Sequence, residues 1–117
     1  KIIKALRYDD AISKDRVHAY RNHVAMFLID GRKPGSGKTW NWAEFAEDLS
    51  GLHPFFLAGG LAPHNVRQAI NAVQPFGVDT ASGIEANGKI SLAQIQKFCM
   101  VAQEASPTPG NQNGIPT

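Results

Sequence analysis

The chain repeats one pattern four times: a short apolar run, a turn signal and then a stretch with helical periodicity. The apolar runs are Ile2–Leu6, Val24–Ile29, Pro54–Ala58 and Phe76–Asp79. They lack the period-two alternation of half-exposed strands, which is typical of parallel strands buried on both faces. Strands that alternate with helices are joined by right-handed crossovers and lie parallel to one another. The sequence therefore predicts an α/β fold of four parallel βα units.

Helix-start signals follow all four of these runs, and after the first run Ser13 is the candidate cap. Asn41, with a glutamate three residues later, forms a capping box in which two side chains satisfy end amides of the helix. Pro63 is expected at the first position of the next helix, whose apolar positions are Val66, Ala69, Ile70 and Val73. Ser91 and Gln94 form a second capping box. The buried face of that last helix is expected to contain Leu92, Ile95, Cys99 and Ala102.

Four βα units fit two architectures, a small open doubly wound sheet or half of an eight-stranded (βα)8 barrel. A complete barrel typically has about 250 residues, so four units in this length match half of one. The first apolar run also starts at residue 2 without a lead-in segment. Both observations favour the half-barrel. Residues 105–117 are rich in Pro, Gly and Asn, and are expected to form a disordered tail.

Composition limits the classes of function. The 117 residues are 43% hydrophobic and 19% charged, which suits one globular domain. The net charge of +2 comes from scattered basic residues, and this argues against a nucleic-acid surface. No apolar run approaches the roughly 18–20 residues of a membrane span, and the single cysteine excludes an internal disulfide. We therefore expect a soluble, cytoplasmic protein.

The sequence GSGKT at residues 35–39 is similar to the end of a nucleotide-binding P-loop. The P-loop pattern requires a glycine five residues before its Gly-Lys pair, but Arg32 occupies that position. The helix is also expected to begin at Asn41, so its first amides would not face a phosphate at this loop. We interpret the segment as a mobile lid, and a plain surface loop is the alternative. The lid residues are Gly35, Gly37 and Lys38.

Two aspartates end apolar runs. Asp30 follows the second run and Asp79 ends the fourth. In a parallel βα fold these positions lie at the carboxyl ends of strands, where the active sites of such enzymes form. Either residue would also fit a helix cap or an Asx turn, but equivalent positions on two strands favour a shared site. The four histidines have no metal-ligand spacing, and no metal is expected.

Glycine turns follow the third and fourth runs. They contain Gly59 and Gly60 in the first case, and Ser82 and Gly83 in the second. Successive glycines let backbone amides approach an anion closely, and the usual phosphate site of a βα barrel is formed by its last two βα loops. Turn geometry alone would explain one glycine pair. Two such turns after successive strands predict a site for a phosphate monoester.

Several segments resemble phosphoribosylanthranilate isomerase, an enzyme family of tryptophan biosynthesis. They are KIIKAL at residues 1–6, FLIDG at 27–31, GSGKTWNW at 35–42, PFFLAGGLAPHNVRQAI at 54–70 and GVDTASGIE at 77–85. The resemblance covers residues 1–104 and corresponds to units five to eight of that family's (βα)8 barrel. It implies the C-terminal half of a TIM-type barrel.

The resemblance also implies a reaction and a set of roles. The family converts N-(5-phosphoribosyl)anthranilate into 1-(2-carboxyphenylamino)-1-deoxyribulose 5-phosphate by an Amadori rearrangement, without a cofactor. Asp30 corresponds to the general acid that protonates the sugar ring oxygen, and Asp79 to an aspartate near the sugar hydroxyls. The segment 35–39 corresponds to a mobile loop over the site. The phosphate cradle corresponds to Gly59, Gly60, Ser82 and Gly83.

One departure from the family pattern concerns the chemistry. The family's general base is a cysteine on strand one, and it has no counterpart in these residues, since Cys99 lies in the last helix pattern. We therefore expect little or no turnover from this chain alone. We also expect a partner at its unpaired strand edges, either the N-terminal half-barrel or a second copy. A non-catalytic phosphate-binding βα module, closed as a small sheet or by self-association, is the alternative from another class.

Overall fold

The computed structural model describes residues 1–7, 14–31, 42, 46, 49, 51–52 and 54–105. A four-stranded sheet lies at its centre, in the order β1-β2-β3-β4, with every neighbouring pair parallel. Its strands are β1 (Ile3–Arg7), β2 (Met26–Asp30), β3 (Phe55–Ala58) and β4 (Gly77–Val78). Each predicted apolar run therefore overlaps a strand.

Helices connect these strands and follow the last one. They are α1 (Lys14–Arg21), α2 (Val66–Val73) and α3 (Leu92–Ala105), with a single 3-10 turn at Ser82–Ile84. Trp42, Ala46 and Leu49 are also helical, in the segment where the sequence predicts a helix after β2. Asn41, the predicted cap of that helix, lies outside the described residues, as does Ser13, the candidate cap of α1. Within the described part of the chain, no helix is long and apolar enough to cross a membrane.

The strand order distinguishes between the two architectures that the sequence left open. A doubly wound sheet reverses its strand order at a switch point, whereas β1 to β4 follow one another without reversal. One face of the sheet, which we call the helix face, carries the buried side chains Leu6, Ile29 and Leu57 in register. They form a single core with apolar residues of the helices, including Val66, Ala69 and Phe98.

The opposite face, which we call the open face, carries Ala5, Leu28 and Phe56 in register. Ala5 is exposed, and the other two are half-buried. The expectation that the strands are buried on both faces is therefore wrong for the described residues, because the described helices pack on the helix face. An apolar sheet covered by helices on one face has the form of an opened barrel, whose interior would be the open face.

Helix α2 has the apolar stripe that its sequence predicts, with Val66, Ala69, Ile70 and Val73 all buried. Its predicted start is wrong. Pro63 lies in a turn, and the helix begins at Val66 with Asn65 at the cap position. The turn is stabilised by the backbone N–H of Asn65, which donates to the carbonyl of Ala62 at 3.1 Å.

Helix α3 begins where the sequence predicts, because Ser91 Oγ accepts a hydrogen bond from the N–H of Gln94 at 3.3 Å. Its buried face is rotated from the predicted one. Cys99 is exposed and Leu92 is 69% exposed, whereas the sequence predicts both to be buried. The buried residues are Phe98 and Ala105. Ala105 is thus part of the helix and not of the predicted tail, and residues 106–117 lie outside the described part.

A small antiparallel hairpin joins the 3-10 turn to α3. Its strands are β5 (Glu85–Ala86) and β6 (Lys89–Ile90). Asn87 and Gly88 connect them, and both have positive φ, 55° and 76°. These values fit a type I′ turn, for which Asn-Gly is the preferred pair.

The buried and exposed isoleucines of the fold provide a stability test. Ile29 is 0% exposed and Ile90 is 72% exposed. We expect Ile29→Val to lower the free energy of unfolding by about 0.5–1.5 kcal/mol, since it removes a buried methyl group. Ile90→Val should change it by less than about 0.5 kcal/mol. Urea unfolding followed by circular dichroism measures both, and equal effects would contradict the assignment of the helix face as the core.

Candidate active site

The carboxyl ends of the strands bring two predicted site residues to one edge of the sheet. Asp30 ends β2 and pairs with Ala58 at the end of β3. Asp79 follows β4, and its N–H donates to the carbonyl of Leu57 at 2.8 Å. Asp79 therefore lies beside Ala58 on the other side of β3. Since residues in register on parallel strands point to the same face, both aspartates belong to the open face.

The spacing of this row suits a small ligand. Asp30 and Asp79 stand two strand positions apart, which corresponds to about 10 Å between their backbones. Ala58, between them, has a side chain of one carbon and is 6% exposed. Asp30 is half-buried and Asp79 is exposed. The two aspartates thus lie on either side of Ala58 at the carboxyl ends of the strands.

Arg7 extends the row to β1, where it pairs in register with Asp30. Its side chain is exposed, and it brings a positive charge to the edge that carries the two aspartates. Sequence reasoning did not select this residue. The signal for it was its position, because Arg7 directly follows the first apolar run in the same way that Asp30 follows the second.

The turn after β3, residues 59–62, has the backbone conformation that its glycines predict. Gly59 and Gly60 have φ values of 101° and 69°, and residues that carry a Cβ rarely adopt such positive φ values. The side chain of Asn65 reaches back to this β3 turn. Its Nδ2 donates to the carbonyl of Gly60 at 2.9 Å, and its Oδ1 accepts from the N–H of Ala62 at 2.8 Å.

The turn after β4, residues 79–83, contacts the β3 turn through a hydrogen bond and through close packing. Thr80 Oγ1 donates to the carbonyl of Leu61 at 2.6 Å and accepts from the N–H of Gly83 at 3.2 Å. Gly83 is buried against the β3 turn, where an added Cβ would collide with the carbonyl oxygen of Leu61 and would lie 2.9 Å from the Cα of Ala62. The two predicted phosphate turns therefore form one interlocked unit beside Asp79.

The structure brings together most of the predicted site residues. Asp30, Asp79, Gly59, Gly60, Ser82 and Gly83 all lie at the carboxyl edge of the sheet or in the turns that follow it. Ser82 is exposed at the start of the 3-10 turn. The predicted lid residues, Gly35, Gly37 and Lys38, lie outside the described residues.

The histidines do not belong to this row. His18, His23 and His64 are exposed, and His53 is outside the described part. Among the residues described, no group of three or more His, Cys, Asp or Glu is arranged to hold a metal ion. A groove of about 570 Å³ lies along the outer side of α2, and it is separate from the aspartate row. Its lining residues are Trp42, His64, Arg67, Gln68, Asn71 and Ala72.

Residues 1–101 match the protein family described as N-(5'-phosphoribosyl)anthranilate (PRA) isomerase. The chain belongs to this isomerase family. The N-(5'-phosphoribosyl)anthranilate isomerase of Moorella thermoacetica is 40% identical over 109 residues, which cover 90% of this chain and 48% of that protein. The chain thus spans about half the length of the curated relatives it matches.

Solved phosphoribosyl anthranilate isomerases share its fold. The enzyme from Thermotoga maritima is 37% identical in sequence, and its crystal structure superposes with a TM-score of 0.73. The match covers 87% of this chain and 51% of the Thermotoga maritima chain. A second phosphoribosyl anthranilate isomerase was crystallised in complex with reduced 1-(o-carboxyphenylamino)-1-deoxyribulose 5-phosphate. It is 33% identical with a TM-score of 0.69, and the match covers 87% of this chain and 48% of that enzyme's chain. These are TIM-barrel proteins, so the predicted fold class of parallel (βα) units of TIM-barrel type is confirmed.

Two residues that organise the site were missed by sequence reasoning. Asn65 was not selected because Pro63 was expected to begin the helix. Asparagine is nevertheless a preferred residue at the position just before a helix. Thr80 gave no signal, because its contact with Leu61 joins residues 19 positions apart. Such a contact depends on how two turns meet in space, and local sequence patterns do not contain this information.

Proposed function

We propose that this chain forms units five to eight of a phosphoribosylanthranilate isomerase and supplies its general acid and phosphate site. The observation that carries this proposal is the row formed by Asp30, Ala58 and Asp79, which lies beside the interlocked turns after β3 and β4. The proposed acid and the proposed phosphate turns would thus share one edge of one sheet. The barrel portion would end with α3, and as an enzyme of amino-acid biosynthesis the protein would act in the cytoplasm.

The assigned roles follow from the chemistry of an Amadori rearrangement. Asp30 would protonate the ring oxygen of the aminoaldose, so that the ring opens to a Schiff base. A general base would then remove the proton from C2, and the resulting enolamine would become the aminoketose. Asp79 would bind sugar hydroxyls, since an exposed carboxylate can accept several hydrogen bonds. No cofactor is needed, because every step is a proton transfer or a bond rearrangement within the substrate.

The base is proposed to come from outside these residues. Cys99, the chain's single cysteine, is exposed on α3 rather than placed on the open face. The open face also presents Ala5, Leu28 and Phe56, which are apolar and at most half-buried. Four further βα units packed against this face would bury these side chains, pair both strand edges and add the base. A second copy of the chain could cover the face, but would add no base.

Complementation tests this function. The 117-residue chain would be mixed with, or fused to, the part of the Moorella thermoacetica relative that precedes its matching segment. We expect isomerisation from the combined protein and none from the chain alone, measured as formation of the aminoketose by chromatography. Turnover by the chain alone would contradict the assignment of the base. A folded but inactive complex, together with phosphate binding by the chain, would favour the phosphate-binding module instead.

A further inference from the structure

We propose that Arg7 is a specificity-determining residue, and that its guanidinium binds the carboxylate on the anthranilate group of the substrate. The inference rests on the proposed function, because it takes the substrate to be N-(5-phosphoribosyl)anthranilate. It adds a residue of β1 to a site that otherwise consists of residues on β2, β3, β4 and the turns that follow them.

Arg7 lies at the carboxyl end of β1, the end of a parallel strand at which active-site residues of βα folds are found. It pairs in register with Asp30, and neighbouring strands are about 4.8 Å apart. Side chains alternate along a strand, so Arg7 shares the open face with Ala5, whereas Leu6 between them is buried on the helix face. Arg7 therefore belongs to the face that a complete barrel would enclose.

The order of groups along this sheet edge matches the order of groups in the substrate. From β4 to β1 the edge carries the proposed phosphate turns with Asp79, then Asp30, and then Arg7. From C5 to C1 the substrate carries the phosphate, then the hydroxyls and the ring oxygen, and then the nitrogen with its carboxyphenyl group. With the phosphate at the turns and the ring oxygen at Asp30, the carboxyphenyl group extends toward β1.

The carboxylate of the substrate is close in covalent structure to the ring oxygen. It is ortho to the carbon that bears the nitrogen, and this nitrogen is bonded to C1, which also carries the ring oxygen. Arg7 is correspondingly the direct neighbour of Asp30, the residue proposed to protonate that oxygen. The planar fork of a guanidinium can donate two parallel hydrogen bonds to a carboxylate, and such charge-assisted pairs are both strong and geometrically specific.

The charge of Arg7 requires an anion once a barrel is assembled around it. Within the described part of the chain no carboxylate forms an ion pair with Arg7, and a cation taken out of water is costly unless it is paired. Asp30 has to hold a proton when it acts as the acid, so it is then uncharged. Asp79 is three strand positions away, about 14 Å between backbones. Of the charged groups in the proposed site, the substrate carboxylate is thus the one that can neutralise Arg7.

Two substrates compared across variants of the complemented enzyme test this inference. The substrates are N-(5-phosphoribosyl)anthranilate and N-(5-phosphoribosyl)aniline, which lacks the carboxylate. Arg7→Gln should raise KM for the anthranilate compound about 10- to 100-fold, the usual range for a lost hydrogen bond to a charged group. It should leave kcat within about threefold, as expected when ground-state binding is removed, and KM for the aniline compound unchanged. Arg7→Lys keeps the charge without the fork and should give an intermediate KM.

Lys97→Gln is the matched control, because Lys97 is an exposed cation on α3 and its removal changes the net charge by the same amount. This control should leave KM for both substrates unchanged. A structural role of Arg7 would weaken both substrates equally in Arg7→Gln, so equal losses would overturn the inference. An unchanged KM for the anthranilate compound in Arg7→Gln would overturn it as well.

Ligand binding by the 117-residue chain alone separates this inference from the proposed function. The probes are reduced 1-(o-carboxyphenylamino)-1-deoxyribulose 5-phosphate and the same compound without its carboxyl group, titrated by NMR. We expect at least tenfold tighter binding of the first, and loss of this preference in Arg7→Gln. That result without isomerisation after complementation would overturn the proposed function and leave this inference standing. Equal binding of both probes, or binding of neither, would overturn this inference and leave complementation to decide the proposed function.

Discussion

Asp30→Asn is expected to lower kcat of the complemented enzyme by about 10²- to 10⁴-fold, the usual contribution of a general acid or base. Asparagine has nearly the shape of aspartate, but it cannot donate the carboxyl proton that opens the sugar ring. The substitution lies at the end of β2, where the backbone pairing with Ala58 does not involve the side chain. The KM should therefore change by less than about threefold, as expected when an interaction specific to the transition state is removed.

Asp79→Asn provides the comparison for this experiment. Asp79 belongs to the same row but is assigned to the sugar hydroxyls, and one weakened hydrogen bond corresponds to about 0.5–1.5 kcal/mol. We expect this variant to raise KM by up to about tenfold and to leave kcat within a factor of three. Inorganic phosphate should bind both variants as it binds the unaltered chain. A kcat for Asp30→Asn close to that of the unaltered enzyme would remove the general-acid assignment.

The parts of the fold that were predicted correctly depend on local signals. The apolar runs around Ile29 and Leu57 specify strands, and helical spacing from Val66 to Val73 specifies the buried stripe of α2. The position of the candidate site was also predicted from local signals. Once parallel strands are assumed, residues at their carboxyl ends share one edge, and this places Asp30 and Asp79 together without any long-range information.

The errors arise where local patterns leave the orientation undetermined. In α3 the apolar residues Leu92 and Cys99 and the aromatic Phe98 are compatible with more than one buried face. The structure buries Phe98, because α3 packs against α2 and the 3-10 turn along that side. The hairpin turn at Asn87 and Gly88 is not ambiguous in this way. Asn-Gly is a strong local signal for a type I′ turn, so this turn could have been predicted from the sequence.

The site itself was predicted incompletely because its rigidity depends on contacts between distant residues. The glycine turns were recognised as separate phosphate-binding elements. That they interlock depends on Thr80 and on the absence of a side chain at Gly83. Gly83 was selected because glycines let backbone amides approach an anion closely, whereas the structure indicates that close packing against the β3 turn is the stronger requirement at this position.

This requirement makes Gly83→Ala the substitution with the largest expected effect on the phosphate site. The new Cβ would collide with the Leu61 carbonyl oxygen, lie 2.6 Å from Thr80 Oγ1 and lie 2.9 Å from the Cα of Ala62. Two of these three atoms belong to the backbone, so the turns after β3 and β4 must separate. We expect a loss of about 3 kcal/mol in the free energy of unfolding, at the upper end for overpacked sites. Phosphate affinity should fall at least tenfold in the chain that remains folded.

Gly51→Ala separates this effect from the general consequences of replacing glycine. Gly51 is exposed, and an added Cβ there meets nothing within 4 Å. Its free energy of unfolding should change by less than about 1 kcal/mol, with phosphate affinity unchanged. Urea unfolding and phosphate titration of the two variants provide the comparison. If Gly83→Ala is as stable as Gly51→Ala and binds phosphate normally, the two turns are not interlocked, and the phosphate site must tolerate their relative movement. Reduced stability with unchanged phosphate affinity would instead mean that the turns pack tightly for the fold alone, and that the phosphate contacts lie on the β3 turn without a contribution from Gly83.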